Sequence, residues 1–255
     1  MPDLPIIRVG FVGCGRNSDN HLRAYALSQK AKLVAVCDLE AAKAEEKARK
    51  FGVERVFTNY EAMLALDLDL IDIVTPTPTH SDLAVRALES GHNVMVEKPM
   101  ALTSKECLDM MSAARQNGQT LCVAHNKRFY DAIVKTKHVV ERERLKTSRM
   151  RVVHFFIYGY ARPNWILTEK SGGVLWEAMV HLTYLLQHFL GRTKRVYAVA
   201  KKIRHPVYDS ITLVLQGEDG EGIGEYERYA KAPLLGFQLF THEGDRFDGD
   251  CMHAF

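Results

Sequence analysis

Short apolar runs alternate with amphipathic stretches through the first half of the chain. The apolar runs predict strands at residues 6–12, 33–37, 71–74, 93–96 and 120–124. Helical spacing of apolar residues predicts helices at residues 21–28, 40–50, 81–89 and 104–116. Buried strands separated by amphipathic helices are typical of βαβ units with a parallel sheet covered on both faces. The pattern therefore predicts a doubly wound α/β domain over residues 1–125.

The pattern changes after Ala124. Helices are predicted at residues 130–145 and 173–190, and strands at residues 149–160, 195–200, 209–215, 224–229 and 236–241. The segment QGEDGEG, residues 216–222, predicts a hairpin turn between two of these strands. Residues 126–255 are therefore predicted to form an α+β domain with a mostly antiparallel open sheet.

Composition and charge exclude several classes of protein. The 255 residues are 47% apolar and 25% charged, with a net charge of +3. The sequence lacks a sustained block of basic residues, so nucleic-acid binding is not predicted. No apolar run approaches bilayer-spanning length, and the N-terminus lacks an apolar signal core, which together predict a cytoplasmic protein without a membrane partner. The five cysteines show no CxxC spacing, so no metal site is predicted.

The segment VGFVGCGRNSDNH places Gly13 and Gly15 between the first strand and the first helix. In a dinucleotide fold, the first glycine allows a tight turn and the second lets the pyrophosphate approach the backbone. Ser18 stands at the third glycine position of that fingerprint. Asp38 ends the second strand, where an acidic side chain accepts hydrogen bonds from the adenosine ribose. The alternative is a ligand-free turn followed by an ordinary strand-end aspartate.

The Asp38 carboxylate also bears on the choice of dinucleotide. It repels a 2′-phosphate and so favours NAD, whereas the nearby cation of Arg16 leaves NADP open.

The segment VMVEKP ends an apolar strand with a carboxylate, an ammonium group and a proline. Lys98 is either a solvated strand end paired with Glu97 or a group directed at a ligand, because ligands bind at the carboxyl edge of open sheets. An ammonium group in that position can polarise a carbonyl or stabilise a developing alkoxide.

The predicted helix at residues 173–190 carries two stripes. Its apolar stripe consists of Leu175, Ala178, Leu182, Leu185, Leu186 and Phe189. A second stripe contains Glu177, His181, Tyr184 and His188, three or four residues apart. A single histidine on a helix is usually structural, but four such groups on one face favour a site. The ordinary pKa of histidine, near 6.5, suits His181 for proton exchange with an alcohol.

Six segments stand in the order found in one protein family. They are VGFVGCGRNSDNH, VAVCD, YEAML, IDIVTPTPTHSDLAVRALESGHNVMVEKPMAL, HNKRF and GGVLWEAMVHLTYLLQHFLG. They resemble the glucose–fructose oxidoreductase / inositol dehydrogenase / rhizopine catabolism family of NAD(P)-dependent oxidoreductases. The resemblance implies hydride transfer between the nicotinamide and a secondary hydroxyl or ketone of a sugar, polyol or sugar derivative. It also implies a homodimer or homotetramer built through the sheet of the second domain.

The resemblance also implies roles for individual residues. Lys98 would lie beside the nicotinamide and bind the reacting oxygen, His181 would be the general base, and Glu177 would orient His181. The implied cofactor contacts are Gly13, Gly15, Arg16, Asn17, Asp38, Thr75, Pro76, His80, Glu97 and Lys98.

Three positions on the helix depart from the family pattern. Glu177 stands where an aspartate is expected, Met179 replaces a glycine, and Tyr184 occupies the place of a second aspartate. These changes suggest either an unusual substrate or a site that has lost its chemistry. The alternative function is a catalytically silent dinucleotide-binding sensor or assembly protein.

Further substrate contacts are predicted with alternatives beside them. Asn126 and Arg128, in HNKRF, either bind sugar hydroxyls or a carboxylate or form a polar linker. Trp165 either stacks on a sugar ring or anchors a loop, and Tyr184 is a further candidate. Because relatives usually continue well beyond the point where this sequence ends, it is expected to be either a naturally short member or a fragment.

Overall fold

The computed structural model describes residues 5–157, 168, 173–230 and 233–251. The chain divides into two compact units, Met1–Ala124 and His125–Phe255, called the first and second unit below. Among the residues described, no helix combines the length and apolar content needed to cross a membrane.

The first unit contains a six-stranded parallel sheet. Its strands are β1 (Ile7–Val12), β2 (Ala31–Cys37), β3 (Arg55–Phe57), β4 (Leu70–Ile73), β5 (Asn93–Val96) and β6 (Leu121–Val123). The strand order is β3-β2-β1-β4-β5-β6, and every neighbouring pair is parallel. The order reverses between β1 and β4, and open α/β sheets bind ligands outside the carboxyl ends of the strands at such a point.

Five helices accompany this sheet. They are α1 (Ser18–Leu27), α2 (Ala41–Phe51), α3 (Tyr60–Leu64), α4 (His80–Glu89) and α5 (Ser104–Gln116). Helix α5 begins at a capping box, in which Thr103 and Glu106 each bond the backbone of the other. Phe11 lies in one apolar cluster and its neighbour Val12 in another, as expected for a sheet buried on both faces. The predicted doubly wound α/β fold is confirmed.

The second unit is a six-stranded mixed sheet with two helices. The helices are α6 (Asp131–Arg142) and α7 (Gly173–Leu190). The strands are β7 (Thr147–Ile157), β8 (Arg195–Lys201), β9 (Ser210–Gln216), β10 (Glu221–Ala230), β11 (Leu234–Thr241) and β12 (Arg246–Asp250). Their order is β12-β11-β7-β10-β9-β8, and all neighbours are antiparallel except β7 and β10. The predicted α+β fold with a mostly antiparallel sheet is confirmed.

The apolar stripe of α7 forms the core of the second unit. Leu182, Leu185 and Leu186 are fully buried and share one cluster with residues of the sheet. The predicted hairpin turn is also present, because Gln216 pairs with Glu221 across the antiparallel β9 and β10.

Candidate functional site

The predicted cofactor residues of the first unit lie in loops that leave one edge of the sheet. Gly13 follows β1, Asp38 follows β2, Thr75 follows β4, and Glu97 and Lys98 follow β5. All these strands are parallel, so their carboxyl ends meet at the same edge. The fold therefore gathers residues that lie far apart in the sequence.

The two glycines of the loop have different surroundings. Gly13 has a φ of +96°, and an added Cβ would lie 2.6 Å from the carbonyl oxygen of Val74, so the fold itself requires glycine there. At Gly15 no protein atom lies within 4 Å of an added Cβ, so packing does not require glycine. The backbone N–H groups just before α1 are therefore accessible, and N–H groups at the start of a helix bind anions. The Ser18 hydroxyl donates to the Gly15 carbonyl (2.6 Å) and fixes the turn. The loop therefore fits a dinucleotide pyrophosphate.

Asp38 is held by the same loop. Its Oδ2 accepts a hydrogen bond from the backbone N–H of Cys14 (2.7 Å), and its Oδ1 accepts one from the N–H of Glu40 (2.9 Å). Each oxygen retains acceptor capacity for a ribose hydroxyl. Burial, helped by the charge of Asp38, raises the pKa of the Cys14 thiol to about 12, so this thiol is protonated and serves packing.

A partly buried ion cluster, formed by His21, Tyr25, Asp72 and Glu97, lies in the same unit. His21 Nδ1 is 2.9 Å from Asp72 Oδ2, and His21 Nε2 is 2.9 Å from Glu97 Oε1. The Tyr25 hydroxyl donates to Asp72 Oδ2 (3.0 Å). The Asp72 side chain is fully buried in the middle of the sheet, where a carboxylate requires a compensating cation. None of these contacts was predicted from the sequence.

Contacts within the ion cluster set the charges of His21 and Glu97 and keep Tyr25 neutral. Burial by itself lowers the pKa of His21, but the hydrogen bonds and charges of Asp72 and Glu97 outweigh burial and raise that pKa to about 10. Burial opposes ionisation of Glu97, but His21 and the charge of Lys98 lower the pKa of its carboxyl group. Burial, together with Asp72, raises the pKa of Tyr25, so its hydroxyl remains a donor. At neutral pH the cluster therefore contains the imidazolium of His21 and the carboxylate of Glu97.

Glu97 connects this cluster to the predicted cofactor residues. Its Oε1 also accepts a hydrogen bond from Asn17 Nδ2 (2.9 Å), and its Oε2 accepts one from the backbone N–H of Lys98 (2.9 Å). One carboxylate therefore joins the glycine loop after β1 to the segment after β5.

The charge of His21 predicts a pH dependence of stability. The folded-state pKa is raised above the unfolded value, so this stabilisation is complete below about pH 6.5 and is lost as pH rises through about 10. The free energy of unfolding is expected to fall by roughly 2 kcal/mol between about pH 7 and about pH 8.5 from this group. Denaturant unfolding at several pH values measures it. In His21→Gln the slope over this interval should disappear, and an unchanged slope would contradict the assignment.

The edge of the sheet where the predicted cofactor residues lie is called the cofactor edge below. His80 connects two loops of this edge from inside the protein. The ring is buried, with Nδ1 facing the Pro99 carbonyl (2.9 Å) and Nε2 facing the Thr75 carbonyl (2.8 Å). Burial lowers the pKa of His80, so the ring is neutral. The contacts place His80 behind the loops after β4 and β5, where it shapes this edge of the sheet.

In the second unit, His181 is buried on α7 and held by a tyrosine. Its Nδ1 is 2.8 Å from the Tyr184 hydroxyl, and that oxygen also accepts the backbone N–H of Lys127 (3.2 Å). The His125 ring stacks on the Tyr184 ring, with centroids 4.2 Å apart. Tyr184 is therefore fixed from two sides and orients the Nδ1 edge of His181.

The structure also locates the other predicted residues of the second unit. Glu177 is half-buried one turn before His181, and Met179 belongs to the apolar core. Arg128 Nη2 donates to His188 Nδ1 (3.2 Å), and burial with the charge of Arg128 lowers the pKa of His188 to about 4. Asn126 begins a short 3-10 turn (Asn126–Phe129). Trp165 lies outside the described residues.

One further histidine near this site was missed by sequence reasoning. The buried ring of His154, in β7, meets the His181 ring edge-on, with centroids 6.2 Å apart. Its position in the apolar segment VVHFF of a strand was the available signal, since a histidine in such a run is a candidate for a site.

Both units of the chain match domain models of one known protein family. Residues 7–125 match the NAD-binding Rossmann-fold domain of the GFO/IDH/MocA oxidoreductase family, and residues 133–243 match the C-terminal domain of the same family. The chain belongs to this family, and its first unit is an NAD-binding Rossmann domain. The predicted family and the predicted NAD cofactor are confirmed.

Similar proteins include a D-apiose dehydrogenase and an inositol 2-dehydrogenase. The chain is 27% identical over 215 residues to D-apiose dehydrogenase of Paraburkholderia graminis, covering 82% of this chain and 57% of that protein. It is 28% identical over 223 residues to inositol 2-dehydrogenase of Rhizobium meliloti, covering 84% and 66%. The chain thus spans less than two thirds of the length of these relatives. The crystal structure of a putative myo-inositol dehydrogenase from Sinorhizobium meliloti matches with a TM-score of 0.87 and 25% identity, covering 96% of this chain and 76% of that one.

Proposed function

We propose that the protein is an NAD-dependent oxidoreductase that transfers a hydride between the nicotinamide and a secondary hydroxyl or ketone of a sugar, polyol or sugar derivative. The observation that carries the proposal is the buried His181 with its Nδ1 held by the Tyr184 hydroxyl, an arrangement suited to general acid–base catalysis. The relatives named for D-apiose and inositol support a polyhydroxylated substrate.

Each side chain has a defined task in this proposal. The Lys98 ammonium donates a hydrogen bond to the reacting oxygen, and His181 accepts the hydroxyl proton, with Glu177 tuning the basicity of the histidine. When bound, the nicotinamide supplies the hydride acceptor or donor. Gly13, Gly15 and the other predicted loop residues hold the dinucleotide.

Tyr184 is proposed to select the tautomer of His181. To accept a proton at Nε2, the neutral ring must carry its hydrogen on Nδ1 and donate it to the Tyr184 oxygen. That oxygen has two lone pairs, so it accepts from the Lys127 N–H and from His181 together. Tyr184 then performs the orienting task at a position where the family usually has an aspartate.

Tyr184→Phe tests this assignment. Loss of the hydroxyl is expected to lower kcat about tenfold, because orientation of a general base is worth a fraction of its whole contribution. It should also lower the free energy of unfolding by about 1–3 kcal/mol, because the buried Lys127 N–H loses its acceptor. Steady-state kinetics across pH and denaturant unfolding measure the two effects.

Tyr60→Phe is the matched control, since its mostly buried hydroxyl donates to the Leu83 carbonyl (2.9 Å) in the first unit. It should lower stability without lowering kcat. Equal kcat values for Tyr184→Phe and Tyr60→Phe would contradict the role given to Tyr184.

The NAD preference is proposed to depend on Asp38. In Asp38→Ala, NADH affinity is expected to fall at least about tenfold, because the ribose loses a charged acceptor and the Cys14 N–H loses its partner. The affinity for NADPH should rise relative to the affinity for NADH. Fluorescence titration with both dinucleotides measures this. Asp67→Ala removes an exposed carboxylate that pairs with Arg8 and should leave both affinities unchanged. Tight NADPH binding by the unaltered protein, with negligible NADH binding, would refute the preference.

Self-association is proposed through the sheet of the second unit. The strands β8 and β9 pair Tyr197 with Val214, and both side chains are exposed. Leu213 and Leu215, the neighbours of Val214 on β9, are buried on the other face. A second copy of the chain covering this apolar face forms the dimer that the resemblance implies. The molecular mass in solution, from light scattering, tests the proposal, and a monomer at all concentrations would contradict it.

The proposed activity is tested with a panel of sugars, inositols and nucleotide sugars. NADH fluorescence is followed in both reaction directions, with NAD as oxidant or NADH as reductant. A specific substrate with saturation kinetics is the expected result. Saturable NADH binding with no turnover on any compound would instead favour the catalytically silent dinucleotide-binding protein.

A further inference from the structure

The ion cluster of His21, Tyr25, Asp72 and Glu97 has no part in the proposed proton and hydride chemistry. It joins α1, the middle of β4 and the end of β5 by hydrogen bonds of 2.9–3.0 Å. Its last member, Glu97, bonds both the Asn17 side chain and the Lys98 backbone. The cluster therefore touches two segments that are proposed to hold the cofactor.

His21 compensates two carboxylates, one at each of its ring nitrogens. The side chain of Asp72 is 0% exposed and that of Glu97 is 12% exposed, so both charges are poorly screened by water. Removal of the imidazolium leaves like charges in a low-dielectric site, which is strongly unfavourable. Asp72 is fixed by its strand neighbours on both sides, whereas Glu97 follows the end of β5. Because its side chain reaches solvent while that of Asp72 does not, Glu97 is the carboxylate expected to shift when the imidazolium is removed.

Charged and titratable groups face His21 from β4, from the end of β5 and from α1 itself. In the described part of the chain these are Asp72 from β4, Glu97 from the end of β5, and Tyr25 from α1 itself. Lys98 acts on Glu97 by its charge. Phe11 of β1 presents an apolar ring with its centroid 6.2 Å from the His21 ring. The two carboxylates therefore dominate the field at His21.

We infer that His21 is a positioning residue for the cofactor edge: by clamping Glu97, it fixes Asn17 of the glycine loop and the backbone of Lys98. The inference rests on the cofactor site of the proposed function but does not depend on turnover. His21 acts through Glu97 and has no contact with the reacting atoms in this scheme.

The first test is a double-mutant cycle read out as NADH affinity. His21→Gln and Glu97→Gln are each expected to weaken NADH binding about tenfold, measured by fluorescence titration of the folded proteins. Because both act through one contact, the double variant should bind NADH no more weakly than Glu97→Gln alone. Multiplied effects, about a hundredfold in the double variant, would show that His21 acts independently of Glu97. Unchanged affinity in His21→Gln would overturn the inference.

His92→Gln is the matched control. His92 is a buried histidine of the same unit, with its ring nitrogens 2.9 Å from the carbonyl oxygens of Leu68 and Leu64. It precedes β5, whereas Glu97 follows it, so His92 lies at the opposite edge of the sheet. This variant should lose thermal stability and keep its NADH affinity. An equal loss of NADH affinity in His92→Gln would reduce the role of His21 to general stability and overturn the inference.

A measurement on the unaltered protein covers the case in which His21→Gln does not fold. The ¹⁵N chemical shifts of the His21 ring at about pH 8, with and without NADH, should show both nitrogens protonated. A neutral His21 ring under these conditions would overturn the inference. Absence of turnover with every substrate would leave these binding and NMR results intact, so failure of the proposed activity is distinguishable from failure of this inference.

Discussion

Lys98→Met is expected to lower kcat on the true substrate by a factor of about 10² or more, with a far smaller change in NADH affinity. Methionine keeps most of the apolar length of the side chain and removes the ammonium group. A charged donor directed at a developing alkoxide acts mainly in the transition state, and loss of one such donor costs about 10²–10³ in kcat. Steady-state kinetics and a separate NADH titration divide the effect between chemistry and binding.

A lysine elsewhere in the first unit provides the comparison. Lys105, on α5, is 83% exposed and pairs with Asp109 one turn later (2.6 Å). Lys105→Met removes one positive charge from the same domain. This variant should convert the substrate with the wild-type kcat. Near-wild-type turnover in Lys98→Met would remove Lys98 from the mechanism and leave it as a strand-end cation paired with Glu97.

His181→Asn is the second substitution with a large expected effect. Asparagine retains a polar group toward Tyr184 but cannot exchange a proton near neutral pH. General acid–base catalysis contributes about 10²–10⁴ to the rate, so kcat should fall by at least about 10². The acidic limb of the kcat–pH profile, which reports ionisation of the base, should disappear.

The control for His181 is a surface histidine of the same unit. His138 is exposed on α6, and His138→Asn should keep both the rate and the pH profile. If His181→Asn retained the wild-type pH profile with an unchanged kcat, another group would have to be the base. The buried His154, whose ring lies edge-on to His181, would then be the first candidate.

The larger elements could be predicted because their hydrophobic patterns are long. Helix α7 was predicted with the bounds that the structure shows, since its apolar stripe repeats over five turns. The three-residue strand β3 and the five-residue helix α3 are too short for a periodic pattern and were missed. Strand β12 was missed as well, because RFDGD contains a single large apolar residue.

The convergence of the predicted cofactor loops at one edge of the sheet was predictable for a different reason. Gly13, Asp38 and Lys98 each follow an apolar run, and parallel strands bring such positions to one edge whatever their distance along the chain.

The ion cluster was not predictable from spacing, because His21 lies 51 residues from Asp72 and 76 from Glu97. One signal was present, since an aspartate inside the strand LIDI requires a buried partner.

Sequence spacing placed Tyr184 on the same face as His181 but could not assign its hydroxyl. Residues three apart on a helix are neighbours, so spacing predicts that the two side chains share a face. It does not predict which group the Tyr184 hydroxyl bonds. In the structure the hydroxyl meets His181 Nδ1 and the Lys127 N–H, so it is an orienting group on the evidence of its contacts. Its predicted substrate contact stays a prediction.

Hydride transfer to a sugar or polyol carbon is tested most directly with deuterium. The protein is incubated with NADH deuterated at the transferable position and a panel of keto sugars and ketones of inositols, and the products are analysed by mass spectrometry. One deuterium is expected at a single carbinol carbon of one product class, and its initial rate of incorporation should be lower by a factor of about 10² or more in Lys98→Met and His181→Asn. Saturable NADH binding without deuterium in any product would contradict the proposed hydride transfer.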